Sequence, residues 1–220
     1  MTRGARVEWD VYAMTAAPVP AFVRVGRTPL RAYAVGPVAV LLASAAPAPA
    51  PLEDALRRQH DIIVALSNRF DPLLPVRFGT RMTLTRIVEA TRASRDQVRN
   101  ALDHVRGRQQ MTVRLIEPAG AVSERHPATT GTAYLQRRRA LHTVPVEAAP
   151  LMAALEAFVV DVRVVPGRAG IRASVYHLVE RRAVAAYRRA AAAAIPGLAP
   201  WGATVTGPWP AFAFAPDLAR

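Results

Sequence analysis

The hydrophobic positions of the first 45 residues come in short runs that are rich in β-branched and aromatic side chains. Such runs are typical of β-strands and predict strands at residues 7–15, 22–25, 30–35 and 38–44. Gly36-Pro37 is a turn dipeptide, so we expect the last two strands to form a hairpin. The alternating alanines and prolines of residues 46–51 then predict a stiff loop that ends the sheet.

Helical spacing replaces the strand pattern after this loop. Residues 52–70 predict an amphipathic helix, whose apolar stripe consists of Leu52, Leu56, Ile63, Leu66 and Phe70. Asp71-Pro72 is expected to end it, because a residue before proline disfavours helical geometry. A second helix is predicted at residues 83–91, with Thr80 or Thr83 as its cap. A third is predicted between a Ser94 cap and a stop at Gly107.

The second half of the chain repeats a mixture of strands and helices. A strand at residues 111–117 precedes helices at 134–141 and 148–158, strands at 159–165 and 171–179, an alanine-rich helix at 181–195 and an extended piece at 203–206. This order predicts a ferredoxin-like βαββαβ unit. We therefore expect an α+β protein with an N-terminal mixed α+β domain (1–108), a ferredoxin-like C-terminal domain (109–205) and an extended tail (206–220).

Composition narrows the classes of protein that the chain can belong to. Hydrophobic residues make up 51% of the chain and charged residues 20%, which indicates a folded protein. The chain contains no cysteine, and this excludes disulfides, a thiol nucleophile and a zinc site built from thiolates. No lysine is present either, so a phosphate-binding loop of the Walker type is excluded.

The net charge of +13 raises the possibility of nucleic-acid binding. However, the charge is spread evenly, with 16 Arg against 9 acidic residues in 1–110 and 13 against 7 in 111–220. Proteins that bind nucleic acid usually concentrate their charge on one element. The dense run here is Arg137-Arg138-Arg139, which is most often a solvated helix face and less often a docking patch for an acidic partner. We therefore favour attraction to acidic partners over nucleic-acid binding.

Neither a targeting segment nor a membrane span is expected. The first residues carry charges at Arg6, Glu8 and Asp10, where a signal peptide needs its apolar region. Residues 32–52 form a long uncharged stretch, but its prolines would break a helix repeatedly. We expect a cytoplasmic protein.

Catalytic and metal-binding patterns are weak. The histidines are scattered and form no pair with metal-ligand spacing, so no metal or cofactor is expected. His60 beside Asp61 is the best candidate for acid–base chemistry, and we favour the alternative that it is a boundary histidine with a structural hydrogen bond. A small enzyme using His60 or His177 as a base stays open as a third hypothesis.

Two segments are specific in sequence without carrying reactive groups. In residues 73–80, LLPVRFGT, we expect Val76 and Phe78 to pack under the helices, Arg77 to reach a helix end or Asp61, and Gly79 to take a positive φ. In residues 206–214, TGPWPAFAF, three aromatic rings are costly to leave in water. We expect this tail to pack on its own chain, with packing on a partner as the alternative.

The combination of these motifs resembles the gas vesicle GvpF/GvpL family of accessory proteins. The resemblance rests on LPVRFGT after the helix that carries His60, on Tyr12-Ala13 in the first strand, and on Gly131 with Tyr134-Leu135 and the arginines that follow. It also rests on SVYHLVER at 174–181 and on the TGPWPAFAF ending. The resemblance spans nearly the whole chain.

The resemblance implies a non-enzymatic accessory protein in gas vesicle assembly. It would bind the hydrophobic shell subunit and other accessory proteins during nucleation and growth, with no cofactor, in the cytoplasm and at the gas vesicle. The structural and partner-binding residues that we assign are His60, Leu74, Pro75, Arg77, Phe78, Gly79, Thr80, Tyr134, Arg137, Arg138, Arg139, Gly207, Pro208, Trp209 and Pro210. The alternative is a basic nucleic-acid-binding α+β module. A ferredoxin-like sheet would need exposed aromatic residues on its central strands for this, and Tyr176 is the only aromatic residue in 171–179, which makes a poor stacking platform.

Overall fold

The computed structural model describes residues 7–45, 52–118, 144–168 and 170–216. These residues form two antiparallel sheets and five α-helices. Their contacts divide the chain into two compact units, one of Met1–Gly107 with Trp209–Arg220 and one of Arg108–Pro208. The C-terminal segment therefore belongs to the same unit as the N-terminal half of the chain.

A six-stranded sheet forms the centre of the first unit. Its strands lie in the order β2-β3-β4-β1-β5, and β6 pairs with β1 beyond the end of β5. The strands are β1 (Glu8–Ala16), β2 (Phe22–Val25), β3 (Thr28–Val35), β4 (Val38–Ser44), β5 (Leu73–Pro75) and β6 (Arg81–Thr83). β1 pairs with β4 along one edge and with both β5 and β6 along the other, so it is the strand on which the sheet is built.

Three helices accompany this sheet: α1 (Leu52–Arg69), α2 (Leu84–Ala93) and α3 (Arg95–Val105). The Thr83 hydroxyl accepts the Arg86 N–H and caps α2, as the sequence predicts. Ser94 stands at the N-cap position of α3 without a side-chain capping bond. Gly107 follows α3 with φ of +67°, and its N–H donates to both carboxylate oxygens of Asp71 at 3.0 Å. The ends of α1 and α3 are thereby tied together.

The core of the first unit lies between one face of the sheet and α1. Buried side chains from β1, β2, β3 and β4 meet Ile62, Ile63 and Leu66 of this helix there. Leu66 lies one turn after Ile62 and Ile63, so the three share one face of the helix, as the periodicity predicts. In contrast, Leu52 and Leu56, which we expected to continue the stripe, are 68% and 43% exposed. The first two turns of α1 therefore present apolar side chains to solvent.

The second unit is a four-stranded antiparallel sheet with two helices among its described residues. Its strands lie in the order β10-β7-β9-β8, with β9 antiparallel to both β7 and β8. The elements are β7 (Arg108–Ile116), α4 (Ala149–Glu156), β8 (Val159–Pro166), β9 (Ile171–Glu180), α5 (Val184–Ala194) and β10 (Gly202–Trp209). Each agrees with a predicted segment to within a few residues, while the predicted helix at 134–141 lies outside the described residues.

A buried polar pair lies in the core of the second unit. The side chains of Met111, Val113, Leu151, Leu155 and Val175 surround Tyr187, which has no exposed surface. The Tyr187 hydroxyl lies 2.8 Å from His177 Nδ1, and His177 is 2% exposed. Burial disfavours the imidazolium and lowers the pKa of His177 to about 4, and it raises the pKa of Tyr187.

The depressed pKa of His177 predicts a loss of stability in mild acid. The unfolded chain takes up a proton on His177 near pH 6.5, whereas the folded chain does so near pH 4. The free energy of unfolding should therefore fall as the pH drops through this window, by about 2 kcal/mol between pH ~7.5 and pH ~5 from this group. Urea unfolding at the two pH values measures the difference.

The variant His177→Asn is the control, because it keeps a polar group near Tyr187 and removes the titration. Its unfolding free energy should change less with pH than that of the wild type. An unchanged pH dependence would show that other groups cause the effect.

Candidate functional site

The segment LLPVRFGT runs along the edge of β1 in the first unit. Leu74 and Pro75 pair with Met14 and Ala13, and Leu74 is completely buried. Beyond the strand, the Val76 N–H donates to the Tyr12 carbonyl at 2.9 Å, and the Val11 N–H donates to the Thr80 carbonyl at 3.0 Å. The segment is thus held to β1 on both sides of the residues that leave the sheet.

A tight turn closes this segment. The Thr80 N–H and the Thr80 hydroxyl both donate to the Arg77 carbonyl, at 3.2 and 2.8 Å. Gly79 occupies the third position of the turn with φ of +77°, the conformation that a type II turn requires there. The positive φ expected from the sequence is confirmed, and it explains why glycine stands at this position.

The turn places two side chains differently from our expectation. Val76 is buried under α1, as predicted, but Phe78 is 37% exposed. The Arg77 side chain is exposed, and among the described residues it has no hydrogen-bond or ion-pair partner. The expectation that Arg77 reaches Asp61 or a helix end is wrong, because the chain leaves β1 after Val76 and the turn that starts at Arg77 exposes this side chain to solvent. Arg77 and Phe78 are surface residues of the segment.

The C-terminal residues pack on the same unit. Pro210 and Ala211 are buried, Trp209 is half-buried, and Phe214 is buried with its ring centroid 6.4 Å from that of His104. The tail therefore packs on its own chain, as expected. Phe212 is the exception, since it remains 38% exposed.

His60 on α1 joins the tail to the helix. Its ring makes an edge contact with Trp209 at 5.4 Å between centroids and stacks on Phe212 at 5.9 Å. His60 is a boundary residue, as we favoured, but aromatic contacts replace the expected hydrogen bond. One turn of α1 thus receives two rings from a segment about 150 residues away in sequence.

These three pieces enclose an open apolar groove of about 470 Å³. Its walls are α1, the LPVRFGT segment and the tail, and the Gln59 side chain donates to the Val76 carbonyl at 3.3 Å between the first two. The lining consists of Leu56, Gln59, His60, Ile63, Pro75, Val76, Arg77, Phe78, Phe212, Ala215 and Pro216. Among the described residues of this lining Arg77 carries the one charge, so the groove combines an apolar surface with a cation.

The other residues singled out from the sequence lie elsewhere. Gly207 and Pro208 belong to β10 in the second unit, where the Arg188 guanidinium donates to the Gly207 carbonyl. Tyr134, Arg137, Arg138 and Arg139 lie outside the described residues. Sequence reasoning missed Leu56 and Phe212 as groove residues. The sequence shows that both residues are apolar, but it does not show that they face the same groove, because that depends on the tertiary contacts.

The described residues offer no metal site, since no three side chains of the histidine, aspartate and glutamate type come together in them. His60 faces aromatic rings, and His177 is buried against Tyr187. Nor is any helix in this part of the chain both long and apolar enough to cross a bilayer. The groove itself offers an apolar surface with the Arg77 guanidinium at its edge.

A family model described as "Gas vesicle synthesis protein GvpL/GvpF" matches residues 9–216. The chain belongs to the GvpL/GvpF family. Both walls of the groove that come from sequence motifs, LPVRFGT and TGPWPAFAF, lie inside the matched range. No curated protein matches the chain.

Two crystal structures of GvpF proteins share the fold of this GvpL/GvpF family member. The GvpF of Anabaena sp. PCC7120 superposes with a TM-score of 0.71 at 12% identity, covering 96% of this chain and 98% of that chain. The GvpF of Microcystis aeruginosa gives a TM-score of 0.72 at 14% identity, covering 96% and 99%. At such low identity the fold is retained while most side chains differ.

The turn that presents Arg77 and Phe78 predicts an effect of Gly79→Ala. A Cβ at Gly79 would meet no atom within 4 Å, so the cost comes from the positive φ alone. We expect the variant to lose about 1–2 kcal/mol of unfolding free energy in denaturant titrations.

Gly197→Ala is the matched control, because a Cβ there also meets no atom within 4 Å and its φ is ordinary. This variant should stay within about 0.5 kcal/mol of the wild type. Equal losses in the two variants would contradict the role of the turn.

Proposed function

We propose that this protein is a non-enzymatic assembly factor for gas vesicles, and that it binds the hydrophobic shell subunit and other accessory proteins during nucleation and growth. Membership of the GvpL/GvpF family supports a role in gas vesicle formation. The proposed sites of action are the cytoplasm and the growing vesicle.

The observation that carries the proposal is the apolar groove of the first unit. Leu56, Phe78 and Phe212 are each between 37% and 43% exposed around one opening. Exposed apolar patches of this kind, rimmed by polar groups, are typical of protein-binding sites. A hydrophobic subunit that must be kept from self-association before assembly would offer the complementary apolar surface.

Arg77 would orient the bound protein in this groove. Its guanidinium is exposed at the edge of the groove and has no partner among the described residues. We propose that it pairs with a carboxylate of the bound protein, since arginine forms paired hydrogen bonds to carboxylates. In this proposal His60, Pro75 and Phe78 contact the partner, Trp209 and Pro210 hold the tail in place, and Leu74, Gly79 and Thr80 fix the turn.

We further propose that residues 109–205 form a ferredoxin-like domain. The strand order β10-β7-β9-β8, with helices after the first and third strands, is the arrangement that a βαββαβ unit adopts. Its last strand, β10, continues beyond residue 205 through Gly207 and Pro208. Tyr134 and Arg137–Arg139 remain predicted docking residues for an acidic accessory protein.

Co-expression of the tagged protein with the shell subunit tests the groove. We expect the wild type to retain the shell subunit during purification and the double variant Leu56→Ser/Phe78→Ser to bind at least about tenfold more weakly. The reason is that each apolar side chain buried in a contact contributes about 1.5–3 kcal/mol. Retention should also fall for Arg77→Ala, most clearly at low salt, while the stability of Arg77→Ala stays near that of the wild type.

Phe22→Ser is the matched control, because Phe22 is 68% exposed on the same unit and does not line the groove. This variant should retain the shell subunit. If it loses binding while the groove variants do not, the contact lies on the sheet, and the groove assignment is wrong.

Nucleic-acid binding is the second candidate, and one observation favours it. Phe22 and Tyr33 are exposed on the first sheet, and the Arg31 guanidinium lies 5.5 Å from the ring centres of both Trp9 and Phe22. Exposed aromatics with arginine can stack on bases. Nucleic acid retained in place of the shell subunit, and lost in Phe22→Ser, would establish this function instead.

A further inference from the structure

Strand β8 is an edge of the second sheet and carries exposed valines. Its one neighbour among the described residues is β9. Val160, Val162 and Val165 are 42%, 47% and 45% exposed. Natural proteins usually protect an edge strand with charges, prolines or a covering element, because an open edge with apolar side chains pairs readily with another strand.

The irregular part of β8 is confined to its beginning. A bulge at Val160 shifts the register with β9 between Val159 and Asp161, after which the pairing is regular to Pro166. Proline cannot donate to a ladder, so Pro166 marks the end of any pairing on the open edge. Among the described residues, regular strand geometry on this edge therefore runs over residues 161–165.

The sequence of β8, VVDVRVVP, is complementary to itself in the antiparallel direction. If two copies meet with Val162 opposite Val162, Asp161 of each copy lies opposite Arg163 of the other. The regular part of this ladder is therefore residues 161–163, while Val160 and Val159 at the bulge face Val164 and Val165. Opposite charges and β-branched pairs directly across an antiparallel ladder each stabilise it.

Neighbouring registers lack this complementarity. Centring the pair on Asp161 or on Arg163 places like charges directly opposite, which destabilises a ladder. If one strand is shifted by one residue, so that Val162 lies opposite Asp161 or Arg163, each charged residue faces a valine. The charges therefore select one register.

The pairing exchanges hydrogen bonds that β8 makes within the chain for bonds to the second copy. The Val162 N–H donates to Asp161 Oδ1 at 2.7 Å within the strand, and both Asp161 and Arg163 have contacts within the chain. Pairing exchanges the first bond for one to the carbonyl of the opposite Val162. It also requires the Asp161 carboxylate and the Arg163 guanidinium to exchange their contacts within the chain for contacts with the second copy.

A groove of about 740 Å³ runs beside β8 and provides space for the second copy. Val144, Val146, Ala149 and Met152 form one wall, and Val159, Val160 and Val162 form the other. Val146 is 79% exposed on this wall. Because Val162 faces this groove, the valines of a second strand on the same side of the ladder would enter it.

We propose that two copies of this protein associate through antiparallel pairing of their β8 strands about a two-fold axis at Val162, which joins the two four-stranded sheets into one. The pairing is isologous, as in most closed dimers, because the same strand serves on both sides. It does not rest on the proposed function, since it uses residues of the second unit that lie outside the first groove.

A cysteine cross-link tests the axis, and the chain offers a clean background because it contains no cysteine. In full-length Val162→Cys the two thiols face each other across the axis, so mild oxidation should give a disulfide-linked dimer within minutes. In Val160→Cys, with similar exposure, the thiols lie four residues apart along the ladder, about 13 Å, beyond the roughly 7 Å that a disulfide spans. This control should stay monomeric on a denaturing gel.

A charge exchange tests the register without changing the composition of the strand. By sedimentation equilibrium, Asp161→Arg and Arg163→Asp should each weaken dimerisation about tenfold, because each creates two like-charge pairs. The double variant Asp161→Arg/Arg163→Asp restores both pairs and should recover the wild-type affinity. Circular dichroism of all three variants checks that they are folded.

Four results would overturn the proposal. The first two are a wild-type chain that stays monomeric over the whole concentration series, and cross-linking that is equal in the two cysteine variants. The third is a folded double variant that dimerises no better than the single variants. The fourth is a β8 edge that takes up a different gas vesicle protein while the chain itself remains monomeric.

Discussion

The pairing of the LPVRFGT segment with β1 is the constraint on which the first unit depends. β1 uses one edge for β4 and gives the other to β5, Val76, Thr80 and β6 in succession. Backbone hydrogen bonds to β1 hold the segment at Val76 and again at Thr80. The turn at Arg77–Thr80 between them therefore projects from the sheet into solvent. The exposure of Arg77 and Phe78 is therefore a consequence of buried backbone hydrogen bonding and not of weak packing.

The tail completes a surface that neither motif forms alone. His60 has ring contacts with Trp209 and Phe212, and these contacts place the C-terminal residues against α1 beside the turn. Two motifs far apart in sequence thus share one groove, which gives a physical reason for specific residues in segments that carry no reactive group. In this GvpL/GvpF family member the two motifs determine the shape of the groove, which is consistent with a role in gas vesicle formation.

Both units leave apolar side chains at their surfaces, but in different forms. The first unit shows an open groove with one cation, whereas the second shows a strand edge whose charges are ordered along the chain. A groove accepts any partner of suitable shape, while an edge with ordered charges selects both orientation and register. This difference is why we infer contact with other proteins for the first and contact with a second copy for the second.

The sequence by itself determined the local structure of this protein. The period-2 and helical patterns predicted almost every element, Thr83 and Gly107 marked helix boundaries, and Gly79 predicted a positive φ, because these signals depend on neighbours in the chain. It did not show β6, whose three residues carry no pattern of their own and pair because β1 has a free edge. It also misplaced Arg77 and Phe78 and took Leu52 and Leu56 for core residues. Burial of a given side chain depends on which elements meet over it, and only the tertiary structure decided that.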